Sequence, residues 1–464
     1  MAGWGGSGAS NGWQTDVGVD ARPLALLRIA LGALVVFDLG DRLRDFHAFY
    51  TAAGLVPLTA APERWSLLGL SDDPNLTLAL YLLALPAALL VLLGLFTRAA
   101  LAATLVALIS LHHRNPYVEG GGDAVLRALI FWMVFVDAGA CLSLDVALGR
   151  RTSRAAIPAW PVHLLQLQIA TVYLFAYLGK TGPAWRDGSA IWLALTTSDW
   201  ARGAGPWLAS HPAWCRCLSY LTLGIEAAFA PLVFWPRARQ RRRLRALILA
   251  AGLVLHIGIF CTMRVGIFSQ VMVLSYLAFV PAAWLDRFIA PVAHGSIADA
   301  AAVAGPGESP HLTAALLAAF ALILSGQVAT IVAGAPPRPL ARTLEFIGMR
   351  QDWRVFAPDA PHLDIGFTAP GILANGQPID LTKTILAPLT PQHAFRYTRW
   401  HRLRNMLATN PADLLLALGR YTCRRQADND PPLQSFELHA HIQDRAAPNT
   451  PPRDELRLRQ TCTP

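Results

Sequence analysis

Nine apolar runs separated by short polar turns dominate the first 332 residues, at 24–39, 76–95, 99–111, 124–144, 162–180, 218–235, 244–263, 265–285 and 312–332. A helix rises about 1.5 Å per residue, so about 20 apolar residues cross a hydrocarbon layer of about 30 Å. The third run is short and suits a helix tucked into a bundle. The pattern predicts an all-α polytopic membrane helix bundle of nine transmembrane helices. Beyond it, residues 335–464 are polar and arginine-rich. Asn375-Gly376 lies between two extended runs, a hairpin signal. A basic amphipathic stretch covers 395–407 and a helical pattern covers 412–424. Phe436, Leu438, Ala440 and Ile442 alternate with Glu437, His439, His441 and Gln443, as in a half-buried strand. This part reads as a small C-terminal α+β extramembrane domain at 335–464, reached through a linker at 291–311 and a last transmembrane helix at 312–334.

Composition agrees with a membrane class. Of 464 residues, 54% are hydrophobic and 15% charged, too apolar for a soluble enzyme of this size. The net charge of +9 does not point to nucleic acid, because much of the basic excess of the first half sits in short loops and no basic-aromatic surface pattern accompanies it. Arg98, then Arg150, Arg151 and Arg154, then Arg237, Arg239, Arg241, Arg242 and Arg243 fall in loops that alternate correctly, so all can be cytoplasmic together. The expected placement is a multi-pass inner-membrane protein with a cytoplasmic N-terminus and a periplasmic C-terminal domain. Residues 1–21 are rich in Gly, Ser and Asn and lack a basic start, so they read as a disordered tail and not a cleavable signal. The remaining connections, 40–75, 112–123 and 181–188, converge on the outer face.

Ionisable residues inside the apolar runs cost several kcal/mol unless paired or facing a cavity. Arg28, Asp38, Arg127 and Asp137 suit interhelical Arg–Asp pairing that fixes the bundle. Glu226 and His256 have no opposite charge at helical spacing, leaving structural hydrogen bonding and a functional pocket both open. Lys180 closes the run VHLLQLQIATVYLFAYLGK at a Gly-Pro break. All but two of the 39 basic residues are arginine, the exceptions being Lys180 and Lys383. A buried lysine can shed its proton and act as a base or nucleophile, which arginine cannot. The ordinary alternative is a lysine snorkelling to the membrane edge. Cys215, Cys217, Cys261, Cys423 and Cys462 fall on the outer side, in reach of one or two disulfides in an oxidising compartment, and free buried thiols are the other reading. No cysteine spacing fits zinc, and His439 with His441 suits a solvated strand face, so no metal site is assigned.

These motifs resemble the vitamin K-dependent gamma-glutamyl carboxylase family, whose membrane core is the horizontally transferred transmembrane (HTTM) domain, in a bacterial-type member. LALLRIALGALVVFDL resembles its opening helix, and HHRNPYVEGGGDAVLRALIFWMVFVDAGACLSLD its loop and helix ending in Ser, any residue, Asp. YLFAYLGKTGPAW is similar to the region of the catalytic lysine, and HIGIFCTMRVGIFSQVMVL to a later helix pair. The resemblance covers roughly residues 22–290. It implies that Lys180 is the base that deprotonates a reduced naphthoquinone (a vitamin K-type hydroquinone). Oxygen then generates the stronger base that removes the γ-proton of a glutamyl residue, and CO2 is added. It puts His256 on a family histidine, an acidic residue near Glu226, and Trp185 at the family interval after the lysine. The family's quinone histidine aligns with Asn115, with His112 and His113 adjacent, and a lysine present in some members is Gly179 here. The family's large lumenal domain is absent, and the stretch QDWRVFAPD at 351–359 looks like one found in bacterial relatives.

The expected site is therefore Lys180 as base, with His256, Glu226, Asn115, His113 and Trp185 lining a quinone pocket. Arg114, Tyr117, Glu119 and Asp123 close its outer mouth, with no metal. Expected partners are the bilayer and a periplasmic glutamyl-containing protein or peptide. Whether the chain is an enzyme stays open at this point. A membrane quinol-dependent carboxylase or oxygenase is one reading. A non-catalytic processing, export or scaffold protein on the same helices is the other. A transporter ranks last, since no inverted repeat appears.

Overall fold

The computed structural model describes residues 18–56, 64–234, 239–289, 310–386, 399–409 and 411–462. Strand β1 (Gly18–Asp20) pairs antiparallel with β2 (Ala156–Pro158). Residues 18–20 thus depart from the expected disordered tail, because their backbone finds a partner strand and Asp20 holds Arg22 at 2.8 Å. The rest of that tail and nearly all of the 291–311 linker lie outside the described residues.

Helix α1 (Arg22–Arg42) starts on Pro23, whose fixed φ suits a first turn, and runs through a short turn into α2 (Phe46–Tyr50). Helices α3 (Pro74–Leu82) and α4 (Ala84–Leu93) are one apolar run broken at Leu83, since Pro86 has no N–H and crowds the carbonyl four residues back. Then follow α5 (Thr97–Arg114), α6 (Gly121–Met133), α7 (Leu144–Ala147) and α8 (Ala159–Gly179). Short helices α9 (Pro183–Asp187), α10 (Ala190–Thr196) and α11 (Gly205–Ala209) cover the end of α8 before α12 (Pro212–Val233) re-enters. α13 (Arg239–Thr262), α14 (Phe268–Ser275), α15 (Ala282–Leu285) and α16 (Pro310–Ala333) complete the bundle.

Six described helical stretches are long and apolar enough to cross a membrane: Arg22–Tyr50, Pro74–Leu93, Ala159–Gly179, Pro212–Val233, Arg243–Thr262 and Pro310–Ala333. The expected nine are not reached by that measure. The run at 99–111 lies in α5, whose last turn carries His112, His113 and Arg114. The run at 124–144 leaves the helix after Met133, and the run at 265–285 breaks into α14, a 3-10 turn and α15 around Pro281.

Asp38 and Asp137 find arginine partners, as expected, whereas Arg28 and Arg127 pair with carbonyls and a glutamate instead of an aspartate. Arg28 donates to the carbonyls of Ala138 (3.2 Å) and Leu142, acceptors freed where the chain leaves α6. Arg127 binds Glu119 at 2.7 Å and the Gly348 carbonyl, and Asp137 is held by both arms of Arg151 at 2.8 and 2.9 Å. Asp38 is bound by Arg42 at 2.6 Å and by Arg399.

After α16 come α17 (Arg338–Phe346), α18 (Thr382–Leu386), α19 (Arg399–Ala408) and α20 (Ala412–Gln426). Five antiparallel strands are built around the long β6 (Leu433–Asp444). β3 (Leu363–Thr368) and β4 (Pro370–Leu373) share one edge of it, β7 (Arg453–Thr461) takes the other, and β5 (Pro378–Asp380) extends β4. The β4–β5 turn carries Gly376 at φ +82°, the left-handed conformation that an Asn-Gly turn supplies. Phe436, Leu438, Ala440 and Ile442 are buried, and a disulfide joins Cys423 of α20 to Cys462 after β7.

This region packs on one end of the bundle and sends two pieces into it. Arg399 is buried between Asp38 and Asp123 (3.2 Å), and Arg42 bridges the same two carboxylates at 2.6 Å each. Two cations against two anions leave this buried cluster neutral, which is what makes its desolvation tolerable. The second piece is the 351–359 stretch, which reaches the turn after α8.

Candidate functional site

Lys180 caps the C-terminus of α8, and its side chain is 3% exposed. Its Nζ lies 2.8 Å from Oε1 of Glu226 on α12, donates to the Ala176 carbonyl at 3.2 Å, and stands 5.0 Å from the Trp185 ring centroid. Glu226 Oε2 is buried without a hydrogen-bond partner. Lys180 Nζ therefore has two hydrogen-bond acceptors and an aromatic face, and is almost fully buried.

Seven residues are nearly two helical turns, so Tyr173 shares a face of α8 with Lys180, about 10 Å deeper. Likewise Phe229 follows Glu226 by one turn on α12. Tyr173 stacks on Phe229 with centroids 3.9 Å apart, and its hydroxyl lies 2.7 Å from His256 Nε2 and 2.6 Å from the Tyr276 hydroxyl. Gly252, one turn before His256, makes room: a Cβ there would sit 2.0 Å from the Tyr276 hydroxyl oxygen. His256 is 3% exposed and its Nδ1 has no partner. Two layers thus line one face of α8, the Lys180–Glu226 pair and the Tyr173–His256–Tyr276 cluster, each with one orphaned buried acceptor or donor.

The stretch 351–359 closes the Lys180 layer. Gln351 is buried among Gln168 of α8 and Gln327 of α16, accepting from both at 3.0 and 2.9 Å. Trp185 donates to the Phe356 carbonyl at 2.8 Å, and the Phe356 ring meets Trp200 edge-on at 4.9 Å. The Gly182 N–H donates to the Pro358 carbonyl at 2.8 Å, and Asp359 accepts from Ala184 N–H at 3.1 Å in the first turn of α9. Gly182 is obligatory for this approach, since a Cβ would lie 2.6 Å from the Asp359 carboxyl carbon. Arg354 packs against Gly179 and binds Asp352 at 2.7 Å. Burial works to raise the Asp352 carboxyl, but hydrogen bonds from Arg354 outweigh it and hold it below its ordinary range.

The structure divides the expected site. Lys180, Glu226 and Trp185 come together, with His256 one layer deeper. The residues of the 112–123 turn are committed elsewhere. Asn115 donates to the Phe49 carbonyl at 3.0 Å and accepts from Tyr117 N–H at 3.2 Å. His113 Nδ1 is 2.9 Å from the Trp65 carbonyl, and Arg114 donates to the carbonyls of Thr51 and Val56. Glu119 binds Arg127, which also meets His112 Nδ1 at 2.6 Å, and Asp123 joins Arg42 and Arg399. Among the described residues none of these hydrogen bonds reaches Lys180 or Glu226. Beside Lys180 the structure places the 351–359 stretch in the position expected of Arg114, Tyr117, Glu119 and Asp123. Tyr173, Tyr276 and Phe229 went unnoticed in the sequence, although the seven-residue step from Tyr173 to Lys180 was the available signal. No group of three or more His, Cys, Asp or Glu able to hold a metal occurs among the described residues.

The model of the HTTM domain matches residues 18–284, more than half of the chain. The chain belongs to the HTTM domain family. The matched span contains Lys180, Glu226 and His256, and its apolar helices make this HTTM protein a membrane protein. The 351–359 stretch that completes the Lys180 layer lies outside the matched span. No curated protein and no solved structure matches the chain.

Proposed function

We propose that this HTTM protein is a membrane quinol-dependent carboxylase or oxygenase in which Lys180 is the base. The observation that carries the reading is the Lys180–Glu226 pair, 2.8 Å apart and almost fully buried where α8 ends. A lysine is the one permanently basic side chain that burial can turn into a free amine, and position and access are then what proton transfer requires. The chain's residues fit a reduced naphthoquinone. Glu226 Oε2 and His256 Nδ1 are orphaned buried polar atoms of the kind that hydroxyl groups satisfy, and Tyr173, Phe229 and Trp185 make their surroundings aromatic and apolar. When bound, the reduced quinone supplies with oxygen the strong base that a glutamyl γ-carbon demands, and CO2 supplies the new carboxyl group. Lys180 accepts a hydroxyl proton at Nζ, Glu226 positions it, and 351–359 excludes water from that exchange.

The reading places the Lys180 end on the periplasmic side of a bacterial inner membrane, with a glutamyl-containing protein or peptide as substrate. The Cys423–Cys462 disulfide at that end favours an oxidising compartment, and Arg98, Arg150 and Arg154 at the other end favour the cytoplasm.

The alternative, a non-catalytic processing, export or scaffold protein, draws on the same pair, since an ion pair also ties α8 to α12. Labelled bicarbonate separates them, in membranes given reduced naphthoquinone, oxygen and a glutamyl peptide. Wild type should incorporate label, and Lys180→Arg and Lys180→Ala should each lose at least about a hundredfold, the scale of a lost acid–base group. Arginine keeps the charge and the tie to Glu226 without a free amine, so full activity in Lys180→Arg sinks the base role.

A further inference from the structure

We propose that Glu226 acts as a neutral carboxylic acid, holding the proton that Lys180 gives up, so that the two side chains form one proton-sharing unit. The inference rests on the base reading above and adds where the lysine's proton goes. A buried ion pair repays its desolvation only when the remaining protons and lone pairs are also satisfied. Here they are not. Glu226 Oε2 has no partner, and the third ammonium proton of Lys180 meets only the Trp185 ring at 5.0 Å. Transfer across the 2.8 Å hydrogen bond removes both charges at once. One N–H bond of Lys180 breaks with its electron pair left on Nζ, one O–H bond forms at Glu226 Oε1, and Oε2 becomes a carbonyl acceptor.

Charge balance during proton uptake argues the same way. When the free amine takes a proton from a neutral hydroxyl ligand, the ligand's O–H electron pair stays on oxygen and the new ammonium matches it. With Glu226 neutral the pocket stays at zero net charge. With Glu226 ionised it would hold an extra buried anion without a matching cation. The other titratable or charged groups around the pair are Tyr173 on α8, His256 on α13, Tyr276 after α14, and Arg354 and Asp359 of the covering stretch. Tyr173, His256 and Tyr276 are bonded to one another, Arg354 to Asp352, and Asp359 to the start of α9. None supplies Glu226 with a second cation.

Infrared spectra of the purified full-length protein at neutral pH test this without any substrate, through the carboxylic-acid C=O stretch. Wild type should show a band that Glu226→Gln removes. Lys180→Arg should also remove it, because a permanent cation forces the carboxylate, whereas Lys180→Gln should keep it. Absence of any band that Glu226→Gln removes overturns the proposal, and so does a band that survives in Lys180→Arg. A band behaving as expected, with Lys180→Arg still fully active in bicarbonate labelling, keeps the shared proton and discards the base reading. A variant that fails to fold does not block the test, because a pH titration of the wild-type band decides it: loss on going from neutral to alkaline pH supports the shared proton, and a band absent at neutral pH overturns it.

Discussion

At the scale of single residues, the Tyr173 hydroxyl joins the layer beneath Lys180. It lies within hydrogen-bond distance of both His256 Nε2 and the Tyr276 hydroxyl, so its loss strands two buried groups at once. Loss of the Tyr276 hydroxyl strands none of the His256 bonds. A buried polar group left unpaired costs about 1–3 kcal/mol. Tyr173→Phe should therefore destabilise the protein by about 2–4 kcal/mol and Tyr276→Phe by about 1 kcal/mol. Thermal unfolding in one detergent measures both, and an equal or larger loss in Tyr276→Phe would contradict this account. Legibility follows the same chemistry. Lys180, Glu226 and His256 stood out because charge or imidazole in an apolar run has few structural excuses. Tyrosines do not stand out in such runs, and their convergence depends on how α8, α13 and α14 cross. Arg42 and Arg399 escaped for another reason: arginine near a helix end or in a basic stretch reads as ordinary surface charge, and only the fold shows both buried on Asp38 and Asp123.

At the scale of elements, polar turns were harder to read than helices. The 112–123 turn looked like a pocket mouth because it is rich in glycine and polar groups, yet Asn115, His113 and Arg114 spend those groups on carbonyls of residues 49–65. The stretch 351–359 looked recognisable but roleless, since its partners lie about 170 residues away in sequence, at 182–185. The hairpin at Asn375-Gly376 and the strand around Phe436 were legible because turn chemistry and two-residue alternation are local. The edge strand β3 is itself tied to the bundle through Asp364, which accepts from Ser198 N–H at 2.9 Å and from Arg445. Burial works to raise this carboxyl, while Arg445 and Ser198 prevail and hold it below its ordinary range. A carboxyl depressed in the fold contributes stability that is complete above its unfolded value of about 3.9 and is lost as pH falls through the lower folded value. Unfolding midpoints should accordingly fall more steeply for wild type than for Asp364→Asn on acidification from pH 5 to pH 3, about the window set by those values. Parallel curves would show that Asp364 carries none of the acid sensitivity.

At the scale of the whole molecule, the decisive question is which end faces which compartment, because the proposed chemistry needs lipid on one side of Lys180 and a protein substrate on the other. α1 and α8 both start beside the β1–β2 pair, so both end at the face covered by 351–359, α19 and the C-terminal strands. Cys217 in the second turn of α12 and Cys261 at the end of α13 are exposed free thiols at that face, where Ala204 N–H donates to the Cys261 carbonyl. Cys141 is buried near the opposite end, beside the carbonyls that hold Arg28. A membrane-impermeant maleimide applied to intact cells should then label Cys217 and Cys261 and spare Cys141. Cys423 and Cys462 should react only after reduction, because they are joined to each other. Labelling of Cys217 and Cys261 only after permeabilisation would put the Lys180 end in the cytoplasm. A disulfide would then sit in a reducing compartment, and a periplasmic substrate could not reach the amine. The five cysteine reactivities together test orientation, disulfide and substrate side on one protein, with the helix that carries Lys180 left unaltered.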